Sequence, residues 1–285
     1  MGKIRLSLTP WLNHSWQVPL YVSVRGLTTS PIPIGYESLE IEFDFIAHSL
    51  LLRTSRGEER SFPLQPESVA DFYKRTFQLL RELDIDVAIH TTPNELANPI
   101  PFPEDTRHAS FDADAAHRFW RVLLQADRVF KHFRTGFLGK ASPIHFFWGS
   151  FDLAVTRYSG RPAPLHAGGI PGLPDAVTRE AYSHEESSVG FWPGTDAFPQ
   201  AAFYSYAYPE PPTFRDATVK PGEAAFDKSF GEFMLPYEAV RSSASPDDTL
   251  LEFLQSTYAA AADRGRWDRA ALECSLGVPG QVRAV

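Results

Sequence analysis

The run IHFFWGSFDLAVTRY, residues 144–158, sets one carboxylate within a long apolar stretch and predicts a central β-strand. Alternate residues of a strand point to opposite faces of its sheet. One face would carry Phe147, Phe151, Leu153 and Val155, and the other Trp148, Ser150, Asp152, Ala154 and Thr156. A buried charge needs a partner or a hydrogen-bond network. We therefore expect Asp152 either to pair with Arg157 or Arg161 or to line a cavity.

Length and composition limit the classes of protein to which the chain can belong. Its 285 residues allow one large domain or two small ones, each with a sizeable core. The net charge of −8, without a basic run, argues against binding to nucleic acid. No window approaches the roughly 18 apolar residues of a membrane helix, and the N-terminus lacks the apolar core of a signal peptide. The single cysteine, Cys274, fits a reducing compartment, so we expect a cytoplasmic protein.

Hydrophobic periodicity predicts an α+β fold with two antiparallel-rich sheets and flanking helices. Strands are predicted at residues 3–8, 17–25, 38–45, 49–54 and 86–90, and helices after Ser68, over 112–134, over 247–263 and over 267–276. Four prolines in residues 91–106 mark a boundary loop. It would separate an N-terminal α+β half, 1–106, from a C-terminal α+β half, 107–285, that carries the site, and the halves could pack as one domain.

Two segments suggest a divergent internal duplication of the chain. Phe62–Val69 and Phe233–Val240 agree at Phe, Leu, Glu and Val, and each precedes an amphipathic helix. Chance similarity over so few positions is the alternative. A true duplication would relate two sheets by a pseudo-twofold axis and favour a cleft between them as a pocket.

Three runs together resemble a known family. They are HFFWGSFDLAVTR (145–157), AYSHEESSVGFWPG (181–194) and AYPEPP (207–212). The chain resembles the bacterial family named Domain of Unknown Function 5996 over nearly its whole length, from KIRLSL at the start to LLEFLQSTY. Family members often carry a further segment before this start, where Met1 here precedes Gly2 directly. The resemblance implies no activity, so the residues themselves must indicate the site.

The sequence Ser183-His184-Glu185-Glu186 has the composition of an acid–base or metal site. We expect a loop here, beside Gly190 and Trp192, that folds over the central strand and brings His184 to Asp152. The chain has no HExxH spacing in this run, which excludes a zincin-type site. The alternative is a solvated acidic loop without a function.

Histidines elsewhere leave a divalent metal ion open as a cofactor. The set comprises His108, His117, His145, His166 and His184. Three imidazoles with a carboxylate would suit iron or zinc, but their spacing matches no metal motif. Packing of His117 and His145 at the edge of the core is the simpler interpretation.

Tyrosines indicate an aromatic pocket. Tyr204, Tyr206 and Tyr208 would share one strand face, and a buried phenol requires a hydrogen-bond partner. The alternative is an outer sheet face whose tyrosines reach water. Nucleophile and phosphate motifs are weak, because Gly149-Ser150 lacks the GxSxG pattern and Gly168-Gly169 lacks GxGxxG.

We therefore predict an enzyme that acts on a small organic molecule by acid–base or metal-assisted chemistry. The predicted catalytic residues are Asp152, His184, Glu185 and Glu186, and the predicted substrate-binding residues are Trp148, Ser150, Arg157, Trp192, Tyr204 and Tyr206. The alternative is a non-catalytic protein that binds a small ligand or a partner through the same aromatic pocket. The oligomeric state stays open.

Overall fold

The computed structural model describes residues 1–94, 96, 98–196 and 198–283, so Glu95 and Ala97 of the predicted boundary loop lie outside the described residues. The helices are α1 (Gly2–Leu8), α2 (Val69–Glu82), α3 (Ala113–Thr135), α4 (Asp175–Ala181), α5 (Tyr237–Arg241), α6 (Pro246–Arg264) and α7 (Arg269–Leu272). The strands are β1 (Tyr21–Val22), β2 (Gly26–Thr28), β3 (Ile32–Ile34), β4 (Glu37–Asp44), β5 (Ser49–Thr54), β6 (Glu59–Pro63), β7 (His145–Phe147), β8 (Asp152–Pro162), β9 (His184–Trp192), β10 (Ala202–Tyr208), β11 (Ala225–Asp227) and β12 (Glu232–Pro236). These elements confirm the predicted α+β fold with two antiparallel sheets.

The chain divides into two compact units that interleave along the sequence. The first comprises Met1–Leu124, Phe146–Ser150 and Gly169–Val177, and the second comprises Gln125–His145, Phe151–Gly168 and Thr178–Val285. None of the helices in the described residues is both long and apolar enough to span a membrane.

The first unit is built on a sheet of six short strands. Its order is β1-β2-β4-β5-β6, and β3 pairs with β4. The core of the unit consists of Ile4, Ile32, Leu39, Ile41, Leu50, Leu52, Phe62, Leu80, Leu83 and Ile85. Helix α2 begins where the sequence predicts, because the Ser68 side chain accepts a hydrogen bond from the Asp71 amide.

The second unit contains five strands of the other sheet, whose full order is β11-β12-β10-β9-β8-β7. Helix α6 packs against β9 and β10. From α3, the Phe130 ring lies 6.4 Å from that of Phe203, and the Phe133 ring lies 6.4 Å from that of Tyr258 on α6. Both helices thus contribute to the apolar core of the unit.

The central run is a hairpin, and our prediction of a single strand is wrong. β7 ends at Phe147 and β8 begins at Asp152. Phe151 adopts the left-handed conformation at φ 61°, and its side chain is 49% exposed rather than in the core. The dipeptide Gly149-Ser150 favours a turn, and this preference overrides the alternating pattern of the flanking residues. Trp148 and Ser150 therefore do not extend the strand face that holds Asp152.

Two other predicted strands are also wrong. Residues 3–8 form helix α1, since six residues are too few to separate a period of two from one of 3.6. Residues 86–90 are irregular, and two of their carbonyl oxygens accept hydrogen bonds from side chains instead of from a neighbouring strand. The Lys3 ammonium group donates to the His90 carbonyl at 2.9 Å, and the Ser7 hydroxyl donates to the Ala88 carbonyl at 2.8 Å.

The longer predicted helices are confirmed as α3 and α6, while the predicted helix over 267–276 is only the four-residue α7. Phe62–Val69 and Phe233–Val240 each run from a strand towards a helix, as the proposed duplication requires. However, β6 lies at the edge of its sheet whereas β12 lies between β10 and β11. The duplication itself stays a prediction.

Candidate functional site

Polar side chains from four strands lie on one face of the second sheet. Ala154, Gly190 and Tyr204 form one row across β8, β9 and β10, Thr156, Ser188 and Tyr206 form the next, and Tyr158, Glu186 and Tyr208 form a third. Because side chains alternate along each strand, these residues share one face with Asp152. On β12, Met234 pairs with Tyr204, which places Glu232 on the same face. We call this the polar face and define it by Asp152, Glu186, Tyr204, Tyr206 and Glu232.

Tyr204 reaches across β9 to Asp152. Its hydroxyl group donates a hydrogen bond to an oxygen of the Asp152 carboxylate, which is 6% exposed. The ring crosses Gly190, where any Cβ atom would overlap it. Burial and the Asp152 carboxylate raise the pKa of Tyr204 well above its usual value of 10, so the hydroxyl keeps its proton. The pair provides one of the hydrogen bonds that a buried carboxylate requires.

Tyr206 links Glu186 to Tyr182. The Tyr206 hydroxyl donates to Glu186 Oε1 at 3.4 Å and accepts from the Tyr182 hydroxyl at 3.4 Å. Glu186 is 5% exposed, and burial raises its pKa to about 8 although Tyr206 and the Lys140 ammonium group oppose the shift. A carboxyl group with this pKa is mostly protonated at pH 7 and can donate a hydrogen bond.

Glu232 has a different environment. The residue is half-buried, and its carboxyl group makes no hydrogen bond or ion pair within the part of the chain that the structure describes. Burial, together with the smaller effects of the Asp152 and Asp227 charges, raises its pKa to about 7. An unengaged carboxyl group that titrates near neutral pH is suited to accept and return a proton.

Tyr182, which follows α4, connects these groups electrostatically. Burial is the main cause that raises its pKa to about 12, and Glu186, Glu232 and Asp152 each add to the shift. Its ring also stacks on that of His166, with the centroids 4.8 Å apart. The three carboxyl groups of the polar face therefore surround a set of neutral phenol hydroxyls.

Arg157 lies on the opposite face of the sheet, so it does not pair with Asp152. It is 1% exposed, and its guanidinium lies 3.5 Å from the ring centroid of Phe133 and 4.4 Å from that of Tyr258. It donates to the Phe133 carbonyl oxygen, and burial lowers its pKa to about 10. This position among core rings does not suit the predicted role of holding a substrate anion, because no solvent reaches the guanidinium.

The predicted contact between Asp152 and His184 is wrong. Residues 184–192 form strand β9 instead of the predicted loop over the central strand, and His184 pairs with Pro162 at the far end of β8. Asp152 lies at the other end, next to the pair of Leu153 and Phe191. At about 3.3 Å per residue, the nine-residue strand spans roughly 26 Å, too far for contact.

Glu185 forms an ion pair with Arg161 at 2.6 Å and accepts a hydrogen bond from Ser159 at 2.8 Å. These contacts engage the Glu185 carboxylate and fix the strand end. Trp192 packs against Phe198, with ring centroids 5.8 Å apart, and against Phe230 at 5.7 Å.

Two predicted binding residues belong to the first unit. Trp148 is half-buried and its indole nitrogen donates to the Val18 carbonyl oxygen at 2.9 Å. Ser150 is exposed in the turn that precedes β8. Their predicted placement beside Asp152 on one strand is wrong because of this turn.

The histidines serve separate local contacts. His108 Nδ1 lies 2.8 Å from an Asp105 carboxylate oxygen, His117 lies near the Trp120 ring, and His145 is 1% exposed. Within the described residues, no group of three or more His, Cys, Asp or Glu side chains is arranged to hold a metal ion.

Glu232 and Tyr182 are the residues that the sequence analysis missed. A signal for Glu232 was present, because it is the one charge in the apolar strand Glu232–Pro236 and shares its parity with Met234. No pattern in the sequence marks Tyr182, since its position depends on the chain path after α4.

Comparison with known proteins identifies the family but not an activity. A model of a family of unknown function, DUF5996, matches residues 1–274. No curated protein and no solved structure matches the chain. The match covers the polar face and nearly all of both units. The chain therefore belongs to the family of unknown function DUF5996.

Proposed function

We propose that the polar face is the active site of an enzyme that acts on a small organic molecule by general acid–base catalysis. The observation that carries this proposal is the grouping of three carboxyl groups around neutral tyrosine hydroxyls. Two of those carboxyl groups, Glu186 and Glu232, have a pKa of about 8 and about 7. Groups whose pKa lies near the working pH are the most effective general acids and bases.

The arrangement fits best the removal of a proton from carbon beside a carbonyl group. In its ionised form, Glu232 would take the C–H proton, and the electron pair of that bond would move onto the carbonyl oxygen to form an enolate. Protonated Glu186 is a neutral donor that could protonate this oxygen, and Tyr206, whose hydroxyl donates to Glu186, would position it. Asp152 accepts the hydrogen bond from Tyr204, and its negative charge raises the pKa of Glu232. This charge would therefore favour the protonated form of Glu232 that results from the transfer. Return of the proton from Glu232 to another carbon, with return of a hydroxyl proton to Glu186, would complete an isomerisation.

The amino-acid composition supports the location and the substrate class of the proposed enzyme. The net charge of −8 and the single cysteine favour a cytoplasmic enzyme with a small-molecule substrate over a nucleic-acid partner. The competing function is non-catalytic binding of a small ligand. It is favoured by the hydrogen bonds that Tyr204 and Tyr206 make within the polar face, which suit a rigid recognition surface.

Exchange with heavy water separates these two functions. The full chain would be incubated in D2O with pyruvate, acetone, dihydroxyacetone or glyceraldehyde, and loss of the C–H signal would be followed by proton NMR. We expect at least one compound to exchange faster than in buffer, and Glu232→Gln to abolish the difference. Glu238→Gln is the control, since Glu238 is exposed and paired with Arg241. Exchange at the buffer rate for every compound, or an unaffected Glu232→Gln protein, would contradict the proposed enzyme.

A further inference from the structure

A separate pocket lies within the second unit, where the C-terminal end of α6 approaches the ends of β9 and β10. Its volume is about 200 Å³. The residues that decide its chemistry are Glu186, Tyr208, Pro209, Glu210, Arg264 and Trp267. Of the five residues that define the polar face, only Glu186 lines this pocket. Small-ligand sites are concave and lined mostly by apolar side chains with a few charged groups, and a volume of about 200 Å³ suits only a compact ligand.

Most of the charges that line the pocket are already compensated. Glu185 is paired with Arg161 at 2.6 Å, and Glu210 is paired with Arg215 at 2.8 Å. Glu186 adds little negative charge, because burial raises its pKa to about 8. The lining therefore carries one uncompensated charge, the guanidinium of Arg264.

Arg264 has unused hydrogen-bond capacity. Within the described residues the only hydrogen bond of its side chain runs from Nε to the Thr213 hydroxyl at 3.3 Å, and the guanidinium forms no ion pair. Its two terminal nitrogens are left to bind another group. The planar guanidinium fork matches the two oxygens of a carboxylate, which can accept two parallel hydrogen bonds.

The C-terminal end of α6 disfavours the binding of an anion, because carbonyl oxygens at a helix C-terminus carry partial negative charge. This effect is reduced here. Arg161 donates to the carbonyl oxygens of Gly265 and of Arg266, the latter at 3.1 Å. The helix end is thus partly neutralised before a ligand binds.

The rest of the lining is apolar. Tyr208 and the prolines at 209, 211 and 212 form one wall, and Trp267 with Ala261 forms another. Trp267 is 8% exposed and packs edge-on against Tyr258, with ring centroids 5.9 Å apart, so this wall is fixed by the core. An apolar body that filled the space would gain from contact with these rigid surfaces.

We propose that this pocket binds a small organic acid with one carboxylate and a compact apolar body, held by Arg264 through its carboxylate. The proposal goes beyond the proposed acid–base activity; the two share Glu186, but Arg264 takes no part in that chemistry and binding of a carboxylate needs no proton transfer. Either one can therefore fail while the other stands. Arg264 is a binding residue, and Tyr208 and Trp267 shape the space for the apolar body.

A charge series on the full wild-type chain tests the ligand class. Benzoate, benzamide and benzylamine share one ring and differ in the charge of the substituent, and calorimetric titration would measure each affinity. We expect benzoate to bind with a dissociation constant of roughly millimolar or tighter, and the other two to bind at least about tenfold more weakly. Equal or stronger binding of benzamide or benzylamine, or no binding of benzoate, would overturn the proposal.

Two variants test the residue that holds the carboxylate. Arg264→Gln should weaken benzoate binding by about tenfold or more, because a charge-assisted hydrogen bond is lost. Arg266→Gln is the matched control, since Arg266 is exposed beyond the end of the same helix and does not line the pocket, and it should bind benzoate within about twofold of wild type. Unchanged binding by Arg264→Gln would overturn the assignment. Should that variant fail to fold, the charge series on wild type decides the proposal alone.

Discussion

The Tyr204 hydroxyl donates a hydrogen bond to the Asp152 carboxylate across the whole width of the intervening strand β9. The two residues belong to β10 and β8, and the ring passes over Gly190, the position on β9 that pairs with both Ala154 and Tyr204. A side chain at this position would block the path. The contact therefore depends on one glycine, and the polar face is organised around it.

Gly190→Ala should destabilise the protein. The added Cβ would overlap the Tyr204 ring and force it from Asp152, and overpacking of this kind costs about 1–3 kcal/mol. Urea denaturation would measure the change in the free energy of unfolding. Gly222→Ala is the control, because no atom lies within 4 Å of its Cβ position. A Gly190→Ala protein as stable as this control would show that the ring does not cross the strand.

Tyr204→Phe should cost about 1.5–3 kcal/mol of the free energy of unfolding, since it removes the donor to a buried carboxylate. Tyr208→Phe also removes a hydroxyl, but one that donates to the neutral Pro164 carbonyl oxygen at 2.9 Å. It should cost less than about 1 kcal/mol. Thermal or chemical unfolding of both variants gives the comparison, and equal losses would argue against a special role for Asp152.

Asp152→Asn and Arg157→Leu should act independently. The two side chains lie on opposite faces of β8, five residues apart, which is about 16 Å at the rise of a strand. A double-mutant cycle on the free energy of unfolding should give a coupling within about 0.5 kcal/mol. A coupling well above that value would mean that Arg157 compensates Asp152 after all.

The stability of Glu186→Gln relative to wild type should depend on pH. The pKa of Glu186 is raised to about 8 in the folded protein from an ordinary value of 4.5. Between these two values the folded state holds a proton that the unfolded state releases, so wild-type stability falls as pH rises. Gln does not titrate, so the variant does not lose this stability. Its free energy of unfolding should therefore rise relative to that of wild type from about pH 4.5 to about pH 8, by a few kcal/mol at most.

Glu238→Gln is the control for this pH series, because the pKa of Glu238 is lowered where that of Glu186 is raised. Its pKa is lowered by the hydrogen bond with Arg241, so its contribution to stability is lost on acidification below the ordinary value. It should show no gain between pH 5 and pH 8. The absence of a pH-dependent gain in Glu186→Gln would show that Glu186 ionises normally and is not buried as described.

Sequence patterns predicted much of the fold because long periodic segments carry a strong signal. Helices α3 and α6 and strands β4 and β5 follow from their apolar spacing. Short segments failed for a physical reason. Residues 3–8 and 86–90 are too brief for periodicity to decide, and their side chains complete contacts that lie far along the chain, as Lys3 does with the His90 carbonyl.

The candidate site was predictable only in part. The unusual carboxylate in the strand of Asp152 and the tyrosine row were visible in the sequence, and the structure brings Asp152 to Tyr204 and Glu186 to Tyr206. Glu232 was not recognised, because its place beside Tyr206 is set by strand pairing between distant segments. His184 was misplaced because alternation alone does not show where β9 begins.

Titration of Glu232 tests the central claim most directly. Carbon-13 NMR of the chain labelled at glutamate side-chain carboxyl carbons would follow each carboxyl group from pH 3 to pH 9, and Glu232→Gln would assign the signal. The account predicts that this signal titrates near pH 7, as burial beside Asp152 requires, and that it persists in Glu238→Gln. A Glu232 signal that titrates near the ordinary value of about 4.5 would contradict the acid–base site on the polar face.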